Sequence, residues 1–403
     1  MKHKILVTGA SGYIGGRLVD DLLKINSDVV SMVRRPDQFE HQFPKKHEIR
    51  YGNTFESDSL DKALEGIDIA FYLIHSLAYD SNFEELEIMS ARNFIAAAER
   101  QGVKKIIYLG GLFNEHRPLS PHLRSRRDVG DIFRASKVPS ITFRASIILG
   151  SGSLSFDLIR NLTERLPIMV TPRWVRVKAQ PIGISDVLLY LKEAIELNID
   201  AHQIYEIGGV DQVSYSEIMM EYAKQRGLKR LIVPVPVLSP YLSSLWLSVF
   251  TPIYAKIGRK LINSIKIPTI VTKQEKTFKD FSVRPISLSA AIKKAIERED
   301  SEFKRTHWAS SFSSSNHDID WLEQKRGNKL VYTKKIVVKK SIKDTFFVIQ
   351  QIGGKKGWYY ANFIWKLRGF IDVFLGGPGY RRGRKHPVKI NEGDFLDWWR
   401  VEQ

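Results

Sequence analysis

The sequence predicts an α/β fold built on a doubly wound parallel sheet, and three observations predict it. A short apolar run, Lys4-Ile5-Leu6-Val7-Thr8, ends in three glycines at three-residue spacing, Gly9, Gly12 and Gly15. A helical pattern opens directly behind them, with Arg17-Leu18-Val19 and Leu22-Leu23 supplying its apolar face. Strand-like and helix-like segments then alternate as far as Gly152, a rhythm that belongs to parallel strands joined by helical crossovers.

Taken in order, the first strand, Lys4–Thr8, turns through the glycines into the first helix. Glycines there let the backbone turn sharply and approach a pyrophosphate, whose charge sits on N–H groups at the helix N-terminus. Gly9, Ser11, Gly12, Tyr13, Ile14 and Gly15 are therefore the candidate phosphate-binding residues. Val29–Val33 reads as the second strand and leaves through Arg34-Arg35-Pro36. Where an adenosine ribose is read, an acidic residue at this strand end would bond the 2′-hydroxyl. Here the place falls to Val33, followed by Arg34 and Arg35. A missing carboxylate with two guanidinium groups beside it favours a 2′-phosphate, hence NADP(H) over NAD(H). The plainer alternative is a charged strand exit.

Ile49–Asn53 is a short third strand whose end, at Asn53, would meet the adenine. Ser59–Glu65 reads as a helix and Ile67–Ile74 as an apolar fourth strand ending at His75-Ser76, which puts Ile74 and His75 on the nicotinamide side. Glu84–Gln101 is an amphipathic helix stopped by Gly102, Lys105–Leu109 a fifth strand, Val129–Ala135 a helix, and Ile141–Arg144 a sixth strand. Right-handed crossovers would set the C-terminal ends of these strands along one ligand crevice.

Residues 153–300 read as a small mixed subdomain on the substrate side. It holds helices at Phe156–Arg165, Ser185–Glu196 and Tyr215–Arg226, and a strand with a turn at Gln203–Gly209. Tyr241–Phe250 is strongly apolar, is interrupted by Thr251-Pro252, and is followed by Lys256, Arg259, Lys260 and Lys266. It is too short to span a bilayer, which takes ~20 apolar residues. Two readings stand: peripheral membrane contact through 241–266, or a core helix or hydrophobic lid over the substrate cleft. Charge and serine over 301–324 mark a linker. Beyond it, a strand at Lys329–Lys340 and helices at Ser341–Ile352 and Trp358–Leu375 give a partial α+β region over 325–403.

Composition bounds the rest. A chain of 403 residues, 43% hydrophobic and 26% charged, can bury a sizeable core and suits two domains better than one. No cysteine is present, which excludes disulfides, thiolate nucleophiles and cysteine-ligated metals. The net charge of +18 suits an anionic partner or a solvated basic surface. The histidines lack metal-ligand spacing, and there is no triphosphate loop or nucleophile elbow. No metal is expected. The basic residues form no recognisable nucleic-acid module, so no nucleic-acid partner is expected either. Met1-Lys2-His3-Lys4 runs straight into the first strand, which leaves no room for a signal peptide. A cytoplasmic protein is expected, with contact at the inner membrane surface left open.

The glycine fingerprint, Arg34, the run Phe71-Tyr72-Leu73-Ile74-His75-Ser76, and Phe143-Arg144 ahead of Gly150-Ser151-Gly152 resemble the short-chain dehydrogenase/reductase superfamily. The resemblance is to its atypical, NAD(P)-binding branch, which includes NmrA-like proteins and an accessory subunit of respiratory complex I. Gln180-Pro181-Ile182-Gly183-Ile184-Ser185-Asp186-Val187 also matches that branch. The resemblance implies an NAD(P)-binding Rossmann domain over 1–300. From about residue 325, Ile352-Gly353-Gly354, Gly357-Trp358-Tyr359-Tyr360 and Arg381-Arg382-Gly383-Arg384 resemble the start of a DUF2867 domain, similar to helix-grip ligand-binding folds. Active reductases of the superfamily use a serine at the fifth strand's end and Tyr-x-x-x-Lys on the next helix. Here the strand ends Tyr108-Leu109-Gly110-Gly111, and the helix offers His122-x-x-x-Arg126. His122 can exchange a proton near neutrality; Arg126 can hold charge beside a ribose but cannot shuttle a proton. Two functions follow: an oxidoreductase on a hydrophobic carbonyl or quinone-like substrate, or a non-catalytic NADP(H)-binding redox sensor or accessory subunit.

Overall fold

In the computed structural model, residues 3–25, 27–39, 47–75, 83–115, 117–234, 267–301, 340–353, 356–360, 362–374, 390, 395–396 and 399–400 are described. The apolar stretch 241–250, the basic residues to Lys266, Ser76, the linker beyond Ser301 and the expected strand at 329–340, but for Lys340, lie outside them. The chain divides into two compact units, Met1–Ser314 and Ser315–Gln403.

The first unit is organised by a seven-stranded sheet. Strands β1 (Lys4–Thr8), β2 (Asp28–Val33), β3 (Glu48–Tyr51), β4 (Ile69–Tyr72), β5 (Lys105–Gly111) and β6 (Ser140–Ala145) all lie in it. Short strands β7 (Ile148–Leu149), β8 (Ile168–Thr171), β9 (Lys178–Ala179) and β10 (Ile182–Gly183) follow. Then β11 (Gln203–Ile207) returns to the main sheet, whose order is β11-β6-β5-β4-β1-β2-β3 with every pair parallel. The sequence places Gln203–Gly209 in the substrate-side layer; the structure corrects this. Tyr205 and Ile207 are buried against Phe143 and Ala145 of β6, so the strand closes the sheet edge. The apolar pattern identifies a strand but not its neighbour.

Alternation of side chains divides the core. Ile5 and Val7 of β1 face α1 (Tyr13–Lys24) and the later helix Ile184–Glu196, whereas Leu6 faces α3 (Ser57–Leu64), α4 (Phe83–Arg100) and α5 (Pro121–Arg134). Because the strand order reverses beside β1, the crevice at its C-terminal end opens between β1 and its flanking strands. Helix α5 starts earlier than its apolar periodicity suggests. The Ser120 hydroxyl accepts the Leu123 N–H, and Pro121 stands in the first turn, where a missing N–H costs nothing.

On the substrate side, β7 pairs with β10, β8 with β13 (Leu231–Pro234), and β9 with β12 (Val213–Ser214). Phe156, Met169, Tyr222 and Ile292 form a separate buried cluster there. The second unit carries helices at Ile342–Ile349 and Asn362–Phe374 and a small antiparallel pair, Phe395–Leu396 with Trp399–Arg400. Among the described residues no helix is long and apolar enough to cross a membrane.

Candidate cofactor and proton-transfer site

The site begins with the turn after β1. Thr8 Oγ1 donates to the Phe71 carbonyl and accepts the Leu73 N–H, both at 3.0 Å, which fixes the end of β1 beside the end of β4. Gly9 then adopts φ +62°, and a Cβ on it would lie 2.6 Å from the Leu73 carbonyl oxygen. The Gly12 N–H closes the turn onto the Gly9 carbonyl at 2.8 Å. At Gly15 a Cβ would stand 2.3 Å from that same carbonyl, so helix and turn touch backbone to backbone. Helix α1 carries no acidic residue in its first turn and no side-chain cap at Gly12. Its N-terminus therefore keeps N–H groups and a positive dipole end for an anion. This is a cradle that side chains would fill, and it fits a dinucleotide pyrophosphate.

Ser11 and Ile14 lie half-buried at this turn, while the Tyr13 side chain packs inward, its hydroxyl against Gly150. Arg17, read from the sequence only as part of the helix face, is buried one turn on. Its guanidinium lies 4.7 Å over the Tyr13 ring and donates to the Ser151 carbonyl at 2.8 Å, tying the helix to the Gly150-Ser151-Gly152 loop. Ile74 follows Leu73 behind Gly9. Arg34 is exposed and Arg35 half-buried immediately after β2, beside Gly52, whose N–H bonds the Val33 carbonyl at 3.1 Å. Asn53 is engaged within its own turn, donating to Glu56 at 2.8 Å and accepting the Phe55 N–H at 3.2 Å.

On the other side of the crevice, the side chains converge on Glu87, which the sequence reasoning missed. It lies on the buried stripe of α4 with Phe83, Ala91 and Phe94. His75 Nδ1 is 2.6 Å from Glu87 Oε1, Arg126 Nη2 donates to the same oxygen at 3.4 Å, and the Ser125 hydroxyl donates to Oε2. Burial pushes the Glu87 carboxyl up, but Arg126 and His75 beside it hold it well below the ordinary carboxylate range. Burial likewise opposes the Arg126 charge, and Glu87 and Tyr108 keep that guanidinium above its ordinary value. Arg126 also donates to the Tyr108 hydroxyl at 3.4 Å, and burial raises that phenol's pKa.

The expected pair His122–Arg126 is thus split by the structure. Arg126 is buried and committed to Glu87 and Tyr108, whereas His122, in the first turn of α5, stacks on His75 with ring centroids 5.1 Å apart. Gly110 occupies the end of β5 where a serine would stand. A glutamate at a core-facing helix position was the one available signal for Glu87, since a buried carboxylate needs partners. Among the described residues no group of three or more metal-binding side chains could hold a metal.

An open parallel sheet with a glycine cradle at its reversal point defines a dinucleotide-binding fold. Comparison with known proteins finds the same class. Residues 9–143 match the NAD(P)H-binding family model, and residues 327–403 match that of a protein of unknown function, DUF2867. The chain thus carries a region similar to NAD(P)H-binding domains, followed by a C-terminal region similar to DUF2867.

Among curated proteins, it is 28% identical over 130 residues to N-acetyl-alpha-D-glucosaminyl-diphospho-ditrans,octacis-undecaprenol 4-epimerase of Escherichia coli O157:H7, covering 30% of this chain and 38% of that protein. It is 29% identical over 133 residues to sterol demethylase protein B of Methylococcus capsulatus, covering 29% of this chain and 40% of that one. These matches span about two fifths of each relative. Among solved structures, the Citrobacter sp. triphenylmethane reductase complexed with NADP(H) aligns with a TM-score of 0.60 at 19% identity, covering 72% of this chain and 99% of the other. MoeE5 in complex with UDP-glucuronic acid and NAD aligns at 0.56 and 19% identity, covering 73% and 98%. At such identity the likeness establishes the fold.

Proposed function

We propose that the first unit binds NADP(H) in preference to NAD(H) and uses it to reduce a hydrophobic carbonyl or quinone-like substrate. The observation that carries the reading is the closed backbone cradle at Gly9, Gly12 and Gly15, set where an uncapped helix start meets the end of β1. Arg34 and Arg35 stand where a carboxylate would select a 2′-hydroxyl, and guanidinium groups match a 2′-phosphate in charge and geometry. Ile74 and His75 lie on the nicotinamide side, and Asn53 on the adenine side. Triphenylmethane reductase, a structural neighbour complexed with NADP(H), supports the same choice of nucleotide.

When bound, the reduced nicotinamide supplies a hydride. The chain's own residues at Gly9–Gly15 would hold the pyrophosphate, and the groups between the end of β4 and α5 would supply a proton. Titration of NADPH and NADH into the protein tests the cofactor preference. Arg34→Ala is expected to weaken NADPH by ~10–100-fold, the worth of one or two charge-assisted hydrogen bonds, and to leave NADH nearly unchanged. Equal weakening of both nucleotides would remove the 2′-phosphate reading.

A second reading is a non-catalytic NADP(H)-binding sensor or accessory subunit. Gly110 at the serine's place and the burial of Arg126 favour it. Consumption of NADPH in the presence of hydrophobic ketones separates the two readings.

A further inference from the structure

We propose that His75 is the proton-exchanging residue of this site and that Glu87 is the residue that positions it; the proposal rests on the reductase reading above. His75 lies two residues beyond Leu73, whose carbonyl backs Gly9, so its backbone is fixed relative to the cofactor cradle. Its side chain keeps 30% of its surface accessible, whereas that of Glu87 keeps 4%. The imidazole therefore joins a buried carboxylate to the accessible side of the cluster.

An ionised carboxylate only accepts hydrogen bonds, so the 2.6 Å contact requires a proton on His75 Nδ1. That fixes the neutral tautomer and leaves Nε2 as the atom that takes or gives a proton. Arg126, at the place of the superfamily's lysine, cannot perform this step, because it is turned into Glu87 and Tyr108. Its charge instead keeps Glu87 ionised, while Ser125 holds the second carboxylate oxygen.

The step balances as a carbonyl reduction. The substrate carbon gains the hydride with its electron pair, and the C=O π bond breaks onto oxygen. That oxygen takes the Nε2 proton of the His75 imidazolium, which returns to its neutral Nδ1–H tautomer, and the product is an alcohol beside oxidised nicotinamide. His75 then recovers a proton from solvent. The groups facing this chemistry are Glu87 from α4, His122 and Arg126 from α5, and the buried phenols Tyr72 and Tyr108 from the sheet. His122, stacked on His75, raises the cost of charging both rings together.

The test uses the full chain as wild type, His75→Gln and Glu87→Gln. Long-range nitrogen–proton NMR of the protein without cofactor reads the His75 tautomer above its titration, where the Nδ1-protonated neutral imidazole is expected. With NADPH and a panel of hydrophobic ketones that includes benzil, His75→Gln is expected to lower the rate by ~100-fold or more. Its NADPH affinity should stay within about twofold of wild type. Glu87→Gln should shift the His75 titration to lower pH and carry the alkaline limb of the rate profile with it, because the reduction needs His75 protonated. Because that substitution strips charge from a buried pair, His75→Gln decides the matter if Glu87→Gln does not fold. A neutral His75 protonated at Nε2 rather than Nδ1, an undiminished rate in His75→Gln, or NADPH bound but unconsumed by wild type would each overturn the assignment. A wild-type protein that reduces the panel through an unaffected His75→Gln leaves the reductase reading standing without this residue. A protein that binds no NADPH removes the reductase reading itself.

Discussion

Gly15 shows most plainly how a single residue specifies the site. It has ordinary helical geometry, yet a Cβ would stand 2.3 Å from the Gly9 carbonyl oxygen and 2.7 Å from its carbon. Neither backbone atom can swing aside as a side chain could. Gly15→Ala is therefore expected to cost about 1–3 kcal/mol in urea unfolding and to weaken NADPH binding in the same preparation. Glu87 is the opposite case, a residue whose partners only the fold assembles. Glu87→Ala leaves Arg126 buried without its carboxylate and should cost about 3–5 kcal/mol by the same measurement. The glycines were legible in the sequence because their role is local, within a turn and the helix that follows. Glu87 was not, because His75, Ser125 and Arg126 reach it from β4 and α5, and spacing along the chain carries no trace of that convergence.

Among the elements, α8 (Tyr215–Gln225) shows local and tertiary terms acting together. Ser214 and Glu217 form a reciprocal capping box, and Lys178 from β9 adds an ion pair at 2.8 Å. The hydrogen bond from Lys178, followed by those from Ser214, draws the Glu217 carboxyl down to about 2. A lowered folded-state pKa means that the contribution is complete above the ordinary value of 4.5 and fades as pH falls from there towards 2. Ser214→Ala should cost ~1 kcal/mol at neutral pH in chemical denaturation and flatten the stability curve across that acidic window. Such caps are a local signal of where a helix starts. At α5, Ser120-Pro121 was the available signal for the early start. The place of β11 was not legible, since pairing with β6 depends on a crossover through the whole substrate-side layer.

At the scale of the whole molecule, the alternation of strand and helix was enough to give the sheet, and the sheet's reversal at β1 places the crevice. Apolar alternation fixed which residues enter the core, but it could not say which crevice-facing groups would be paired with each other. A ligand that binds only the folded first unit must stabilise it by mass action. At ~100 times its dissociation constant, NADPH should add ~2.7 kcal/mol to the unfolding free energy of that unit, read as a rise in its thermal midpoint. NADH at the same concentration should raise it less.

The central claim is that the backbone cradle at Gly9–Gly15 is a dinucleotide site, and calorimetric titration of NADPH into wild type and Gly12→Val tests it most directly. Gly12 has φ −84°, which valine can adopt, so the substitution acts by crowding the helix start, where a Cβ already meets the Gly9 carbonyl at 3.0 Å. Saturable binding to wild type with none detected for a folded Gly12→Val is the predicted result. Undiminished NADPH binding by Gly12→Val would contradict the account.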